Sequence, residues 1–265
     1  MLDVITFGET LLQTRDLDPV YVMLYRSQFS FFQKERFTVA YWLFYHSGVS
    51  ALLSEKMGHA FWDACQEQLT LAPRGTERRH FRGSAATKAV QALHSLYPDP
   101  EDFVEAMCPS QSTCETFHTV SSRVEKLPQF GPWIAFKVCD MLERVLDRQI
   151  DSSGCIDLWF REPLTGAEKA ATAFSLPSRD AAIQFLLEKF HSWGAPPDYK
   201  RKVNLQEIET ILCKWKAHLG GHYEIGKDTY EILHGLRKYS SRSSSAAHLI
   251  DCLQEGTLCK RNTLC

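Results

Sequence analysis

Leu127-Pro128-Gln129-Phe130-Gly131-Pro132-Trp133-Ile134-Ala135 is the stretch that decides how this 265-residue chain is read. Two prolines around a glycine mark a turn. Pro132 suits a first helical position, because the amide it lacks would have no partner there anyway. From Trp133 to Leu146 the apolar residues recur at helical spacing. A helix therefore opens straight out of a tight turn, and Cys114–Leu127 reads as the helix before it. Such a turn points the first amides of the second helix outward, at the positive end of its dipole.

The same periodicity extends in both directions. Residues 18–72 read as two or three helices. Tyr21, Leu24 and Tyr25 share one helical face, as do Trp42, Phe44, Tyr45 and Val49, and Phe61, Trp62, Cys65 and Leu69 share another. Ser84–Leu96 and Asp102–Met107 continue the series. Beyond the turn come Ala167–Phe174, Ser178–Ser192, Leu205–Leu219 and Thr229–Tyr239. Strand signals are few: Val203 and Ile225 lie in short segments without sustained alternation. The chain is expected to be all-α. Gly194-Ala195-Pro196-Pro197-Asp198 suggests a boundary between a larger helical domain, 1–195, and a C-terminal helical extension, 196–265, packed on it. Ser240–Ser245 is a break, and the last twenty residues are expected to be loosely held.

Composition narrows the class. A formal net charge of −2 argues against a protein that coats nucleic acid nonspecifically and leaves only local basic patches. The longest apolar stretch, near Phe37–Leu53, is broken by His46, Ser47 and Gly48 and is too polar to span a membrane. Met1-Leu2-Asp3-Val4 lacks the start of a secretory signal. The nine cysteines contain no C-x-x-C pair, so neither a disulfide framework nor a structural zinc site is expected, and a metal or redox role for Cys259 and Cys265 is a minor alternative.

Four constellations carry chemistry. The first is the turn itself. A glycine-containing turn lets a phosphate approach the backbone closely, without lysines. It resembles the hairpin of helix-hairpin-helix DNA-binding proteins, roughly L-P-G-hydrophobic-G-x-x-x-A, with Gln129 in place of the first glycine. Phe130, Gly131, Trp133 and Lys137 become the DNA-binding candidates. The plain alternative is an ordinary helix–helix turn. The second is Arg74-x-x-x-Arg78-Arg79-His80-Phe81-Arg82-Gly83. Its arginines form a candidate anion site, because guanidinium groups bind phosphate oxygens bidentately and keep their charge. The plain alternative is a solvated basic loop. The third is Tyr41-Trp42-Leu43-Phe44-Tyr45-His46-Ser47-Gly48, where a histidine ends an aromatic face able to wall a base-sized pocket. The fourth is the face with Lys137, Asp140, Glu143, Arg144 and Asp147, otherwise readable as paired surface charges. Asp157 is a carboxylate inside the apolar run Cys155–Trp159. Burial would raise its pKa and fit it to act as a general base.

Together Ala40–Ser50, Ala72–Gly83 and Phe130–Arg144 resemble the phage-encoded amino acid:DNA transferases. These are grouped with the glutamyl- and putrescinyl-thymine pyrophosphorylases and likened to helix-hairpin-helix DNA glycosylases. The resemblance spans roughly the first 160 residues. It implies a glycosylase-like helical domain with the helix-hairpin-helix at 127–146 and additional C-terminal helices. It also implies thymine hypermodification in bacteriophage DNA: an amino acid or polyamine nitrogen displaces pyrophosphate from 5-pyrophosphoryloxymethyluracil in double-stranded DNA, in the cytoplasm of the infected host.

On that reading Arg74, Arg78, Arg79 and Arg82 meet the pyrophosphate, and Asp157, Asp140 or His46 removes the amine proton. The glycosylases' aspartate, about twenty residues past the hairpin, falls between Asp151 and Asp157 without matching either. The amino acid is a co-substrate; no pocket for it can be read from the sequence, although residues after Asp198 could contribute one. No protein metal site is expected, although Mg²⁺ travelling with a diphosphate needs few protein ligands. A glycosylase acting on a modified base and a noncatalytic DNA-binding module remain alternatives.

Overall fold

The computed structural model describes residues 2–110 and 114–258. Its elements are helical apart from two short strands, as the periodicity led us to expect. Helix α1, Val4–Thr14, starts where Asp3 accepts the amides of Ile5 and Thr6 at 2.9 and 3.0 Å. Residues 18–72 divide into α2 (Pro19–Arg26), α3 (Phe31–Phe44), α4 (Ser47–Ser54) and α5 (Gly58–Leu71), more helices than the apolar stripes alone distinguish. The extra boundaries are caps: Ser30 accepts the amide of Gln33 before α3, and His46 accepts that of Val49 before α4. Then come α6 (Gly83–Leu96), α7 (Pro100–Met107), α8 (Phe117–Val124) and α9 (Pro132–Arg144). They are followed by α10 (Arg161–Ala173), α11 (Arg179–Phe190), α12 (Leu205–Leu219), α13 (Lys227–Tyr239) and α14 (Ser244–Leu258).

Two expectations change. Glu115–Thr116 pairs in parallel with Ile150–Asp151, so the helix before the turn begins at Phe117, with Thr116 as its cap, and not at Cys114. The C-terminus is not loosely held as a whole. Ala246, Leu249, Cys252 and Leu253 of α14 are buried in the core, and α14 packs on α2 and α4. Cys259 and Cys265 lie outside the described residues.

Helix α3 is the centre of the molecule. Every residue from Glu35 to Phe44 is buried, so it is enclosed on all sides. Its charges are paired: Glu35 with Arg148 at 2.8 Å, and Arg36 with Glu101 at 2.6 Å. One continuous core runs from Val4 to Leu253. Helices beyond residue 196 enter it directly, α12 against α1 and α10, and α13 against α4. The α4–α13 crossing is close: a Cβ on Gly48 would sit 2.2 Å from the carbonyl oxygen of Gly235. Among the described residues no helix is long and apolar enough to cross a membrane.

Candidate active site

Residues from five stretches converge on one cleft of about 270 Å³. The start of α2 supplies Asp18 and Tyr21, and the end of α3 supplies Tyr41, Tyr45 and His46. The loop after α5 supplies Arg74 to Glu77, α9 supplies Lys137, and α13 supplies Asp228, Tyr230, Glu231 and His234. The loop is fixed to α3 at Gly75, whose amide bonds the Phe44 carbonyl at 3.0 Å. A Cβ there would lie 2.2 Å from the Tyr45 oxygen, so only glycine allows this approach.

Lys137 is the centre of the cleft's charge. Its Nζ donates to the Tyr21 hydroxyl at 2.7 Å and to Asp140 at 3.1 Å, and lies 3.7 Å from Asp18. Tyr21 in turn donates to Asp140, whose other oxygen accepts from Gln206 at 2.9 Å. Burial works against a charge on Lys137, but the oxygens of Tyr21, Asp140, Tyr45 and Asp18 outweigh it and hold the ammonium above its ordinary pKa. Asp140 is pushed up by burial and pulled down further by Lys137 and Arg144, so it stays a carboxylate. Asp18 differs: burial dominates and carries it from 3.8 to about 7, despite Lys137. The network thus holds one fixed ion pair and one carboxyl that titrates near neutrality.

Aromatic rings form the walls. Tyr41 and Tyr45 lie 4.6 Å apart, and Trp133 meets Tyr45 edge-on at 5.2 Å. This ladder joins the turn before α9 to the cleft. His46 also lines it, but burial lowers its pKa to about 4 and its Nδ1 caps α4. It is therefore a neutral imidazole whose free nitrogen carries the proton, suited to donating a hydrogen bond and unsuited to taking a proton.

The arginines do not converge as expected. Arg74 lines the cleft and donates to the Leu69 carbonyl at 2.6 Å, and its pKa is lowered by burial and then by Arg82 nearby. Arg78 is buried. It lies over Phe81 at 4.2 Å and Phe130 at 5.4 Å and donates to the Gln129 carbonyl at 3.1 Å. Burial, with Arg74, lowers it to about 10. It braces the turn and is closed to a substrate anion, because its guanidinium is enclosed by the rings that hold it. Arg79 and Arg82 are exposed.

The turn itself carries the backbone that the glycine pattern implies. Gln129 has φ +68, in the left-handed region a glycine would favour, and the Arg78 bond to its carbonyl helps hold it there. Gly131 is exposed, nothing lies within 4 Å of where its Cβ would be, and no side chain caps α9. Phe130 is a correction: it is buried, packing edge-on against Phe103 at 6.0 Å, and shows DNA no ring. Lys137 is likewise held inside the cleft, away from any phosphate at the turn.

Asp157 is the largest correction. It lies in a single 3-10 turn, Cys155–Leu158, which turns Cys155 inward and Asp157 outward; its side chain is 83% exposed, 3.9 Å from His118. Neither it nor Asp151, which is also exposed, lines the cleft. Asp140 is present as an anchor behind Lys137 and Tyr21. Asp18 and the carboxylates of α13 were not singled out from sequence. Asp18 sits just before Pro19, where an aspartate reads as an ordinary helix start, and α13 is distant in sequence from every other wall.

Comparison with known proteins agrees with the family resemblance. The profile of the amino acid:DNA transferase family matches residues 8–223. A glycinyltransferase of Pseudomonas phage PaMx11 is 35% identical over 286 aligned positions, covering 97% of both chains. A putrescinyltransferase of Delftia phage PhiW-14 is 25% identical over 248 positions, covering 89% of this chain and 78% of its own. The chain is a transferase and belongs to the amino acid:DNA transferase family.

Proposed function

We propose that this enzyme joins the nitrogen of an amino acid or another primary amine to the exocyclic methylene of 5-pyrophosphoryloxymethyluracil in double-stranded phage DNA, within the infected cell's cytoplasm. The carbon–oxygen bond to the diphosphate breaks, a carbon–nitrogen bond forms, and pyrophosphate leaves. The observation that carries this reading is the meeting of protonated Lys137 and Arg74 in one aromatic-walled cleft. A leaving diphosphate needs positive charge already in place, and a pyrimidine turned out of the duplex needs flat walls, which Tyr41 and Tyr45 supply.

Each remaining group has a part. Asp18, titrating near 7 beside Lys137, takes the proton that the ammonium must lose. Tyr21 and Asp140 hold Lys137 in place. His46 donates a hydrogen bond into the cleft. Arg82, exposed near Arg74, meets a DNA phosphate at the surface. The open amides at Gly131 hold a flanking phosphate. Mg²⁺, where used, is carried by diphosphate oxygens, and turnover with and without a chelator tests that.

The test of the reaction is to incubate the enzyme with DNA carrying pyrophosphorylated hydroxymethyluracil and with one amine at a time. The DNA is then digested and its nucleosides identified by mass. An aminomethyl adduct is expected. Free base with abasic sites would support a glycosylase instead, and unchanged DNA with every amine would overturn the reading.

A further inference from the structure

The proposed reaction has one anionic leaving group and one cationic incoming group, and the cleft provides differently for each. Asp228 and Glu231 are three residues apart on α13, on one helical face, and both line the cleft. Glu77 lines it from the loop after α5. Although Glu77 remains accessible, the protein around it, and then Asp228 and Glu231, raise its carboxyl pKa, so the three groups share one region. At the rim Tyr230, 67% exposed, stacks on His234 with ring centroids 6.1 Å apart and planes within 10°.

This wall is held firmly. Helix α13 has no cap of its own, and Asp16 supplies one from a distance. Its carboxylate accepts from the Gly226 amide at 2.7 Å, the Thr229 amide at 3.0 Å and the Thr229 hydroxyl at 2.6 Å. Lys214 bonds Asp228 at 2.6 Å and the carbonyls of Asp16 and Leu17 at 2.6 and 2.7 Å. The wall is thereby fixed to the segment that carries Asp18. The family profile stops at residue 223, before α13 begins, whereas Asp18, Tyr21, Arg74 and Lys137 all lie inside it.

We infer that α13 is the amine-selecting wall of the enzyme: Glu231, together with Glu77 and Asp228, receives the incoming primary amine as its ammonium ion, and the Tyr230–His234 stack bounds the space beside it. This rests on the reaction proposed above. The ammonium passes its proton to the Asp18 carboxylate, the freed nitrogen pair bonds to the methylene carbon, and the diphosphate departs with the electron pair of the broken carbon–oxygen bond. A carboxylate wall does not suit a diphosphate, which is left to Arg74 and Lys137. It suits a cation.

Steady-state kinetics with glycine and with 1,4-diaminobutane as probes, each amine varied at saturating pyrophosphorylated DNA and the DNA then varied at saturating amine, test this in wild type, Glu231→Gln and Glu231→Lys. Glu231 is half exposed, and its charge partner is Lys227 at 3.9 Å, so both variants should fold. Glu231→Gln should raise KM for each amine about tenfold while KM for the DNA holds. Glu231→Lys should penalise the dicationic diamine more than glycine, shifting the kcat/KM ratio toward glycine. Unchanged amine KM values and an unchanged ratio overturn the inference alone. An equal rise in KM for the DNA also overturns it, because the wall would then be touching the polymer. A wild type that forms no adduct with any amine overturns the underlying reaction as well.

Discussion

At its first turn α9 shows Gly131 and Pro132 to solvent with no side-chain cap, whereas Lys137 and Asp140, in its second and third turns, are enclosed in a hydrogen-bonded network. The first region offers backbone amides, which suit any phosphate whatever the base beside it. The second offers one oriented ammonium, which suits one defined group on one substrate. A single rigid helix thus sets the distance between the polymer and the chemistry, and the Trp133–Tyr45–Tyr41 ladder fills the space between them. Holding and reacting are separate jobs of one element, and substitutions at its two ends should separate them.

The largest effect is expected at the inner end. Lys137→Met should lower kcat by about 10²–10³ with little change in affinity for the DNA. It also leaves Asp18 and Asp140 without their cation, which costs about 3–5 kcal/mol, so turnover must be measured per folded molecule, with circular dichroism giving the folded fraction. A Lys137→Met enzyme that keeps its rate but loses DNA affinity would reverse the assignment of the two ends.

Arg74→Ala comes next, with a loss of roughly 10²-fold in turnover and a smaller change in stability. Arg78→Ala should behave differently. Removing a charged hydrogen bond to the Gln129 carbonyl costs about 1.5–3 kcal/mol, so thermal melting should show most of its effect. If Arg78→Ala melts like wild type and only turnover suffers, Arg78 belongs to the anion site after all.

The pH dependence sharpens the inner region further. Asp18 acts as a base only when ionised, so kcat should rise through about pH 7 and lose that limb in Asp18→Asn. His46, neutral above about 4, contributes nothing there. Stability should move the opposite way. A carboxyl raised from 3.8 to about 7 keeps in the folded state a proton that the unfolded chain has released, so stability falls as pH rises through that window. Glu35, at about 7, and Glu209, at about 8, add slope of the same sign. Asp18→Asn should reduce the slope without abolishing it.

The smallest effect on turnover belongs to the surface. Arg79→Ala with Arg82→Ala should leave kcat within a few-fold. If both side chains meet phosphates, log affinity against log salt should lose about 1.8 in slope. Gly131→Val, adding bulk where nothing now stands within 4 Å, should weaken DNA binding without lowering the melting temperature. Tight DNA binding by Gly131→Val would mean that the turn is only a helix connection.

The outer region was far more legible in sequence than the inner one. Turn, Pro132 and helix follow from local rules: proline fixes one dihedral, glycine frees another, and apolar spacing gives the helix. Even the left-handed backbone at Gln129 follows from the glycine it replaces, although the brace from Arg78 does not. The cleft needed the tertiary fold. Asp157 has apolar neighbours, yet a 3-10 turn, with three residues per turn, points successive residues in three directions and only Cys155 falls on the buried one. Adjacency in sequence made Arg74 to Arg82 look like one site, and the fold separates them into a cleft residue, a brace and two surface charges. Asp18, Lys137 and Asp228 share no local pattern, since their meeting depends on α2, α9 and α13 packing around α3 and α4.

The most direct measurement is the balance of products in a single turnover, with pyrophosphate and modified nucleoside counted in the same sample. Displacement of the diphosphate by an amine requires equal amounts of pyrophosphate and aminomethyl nucleoside, both falling together in Lys137→Met. Pyrophosphate released without an aminomethyl product, or free base with neither, would contradict it.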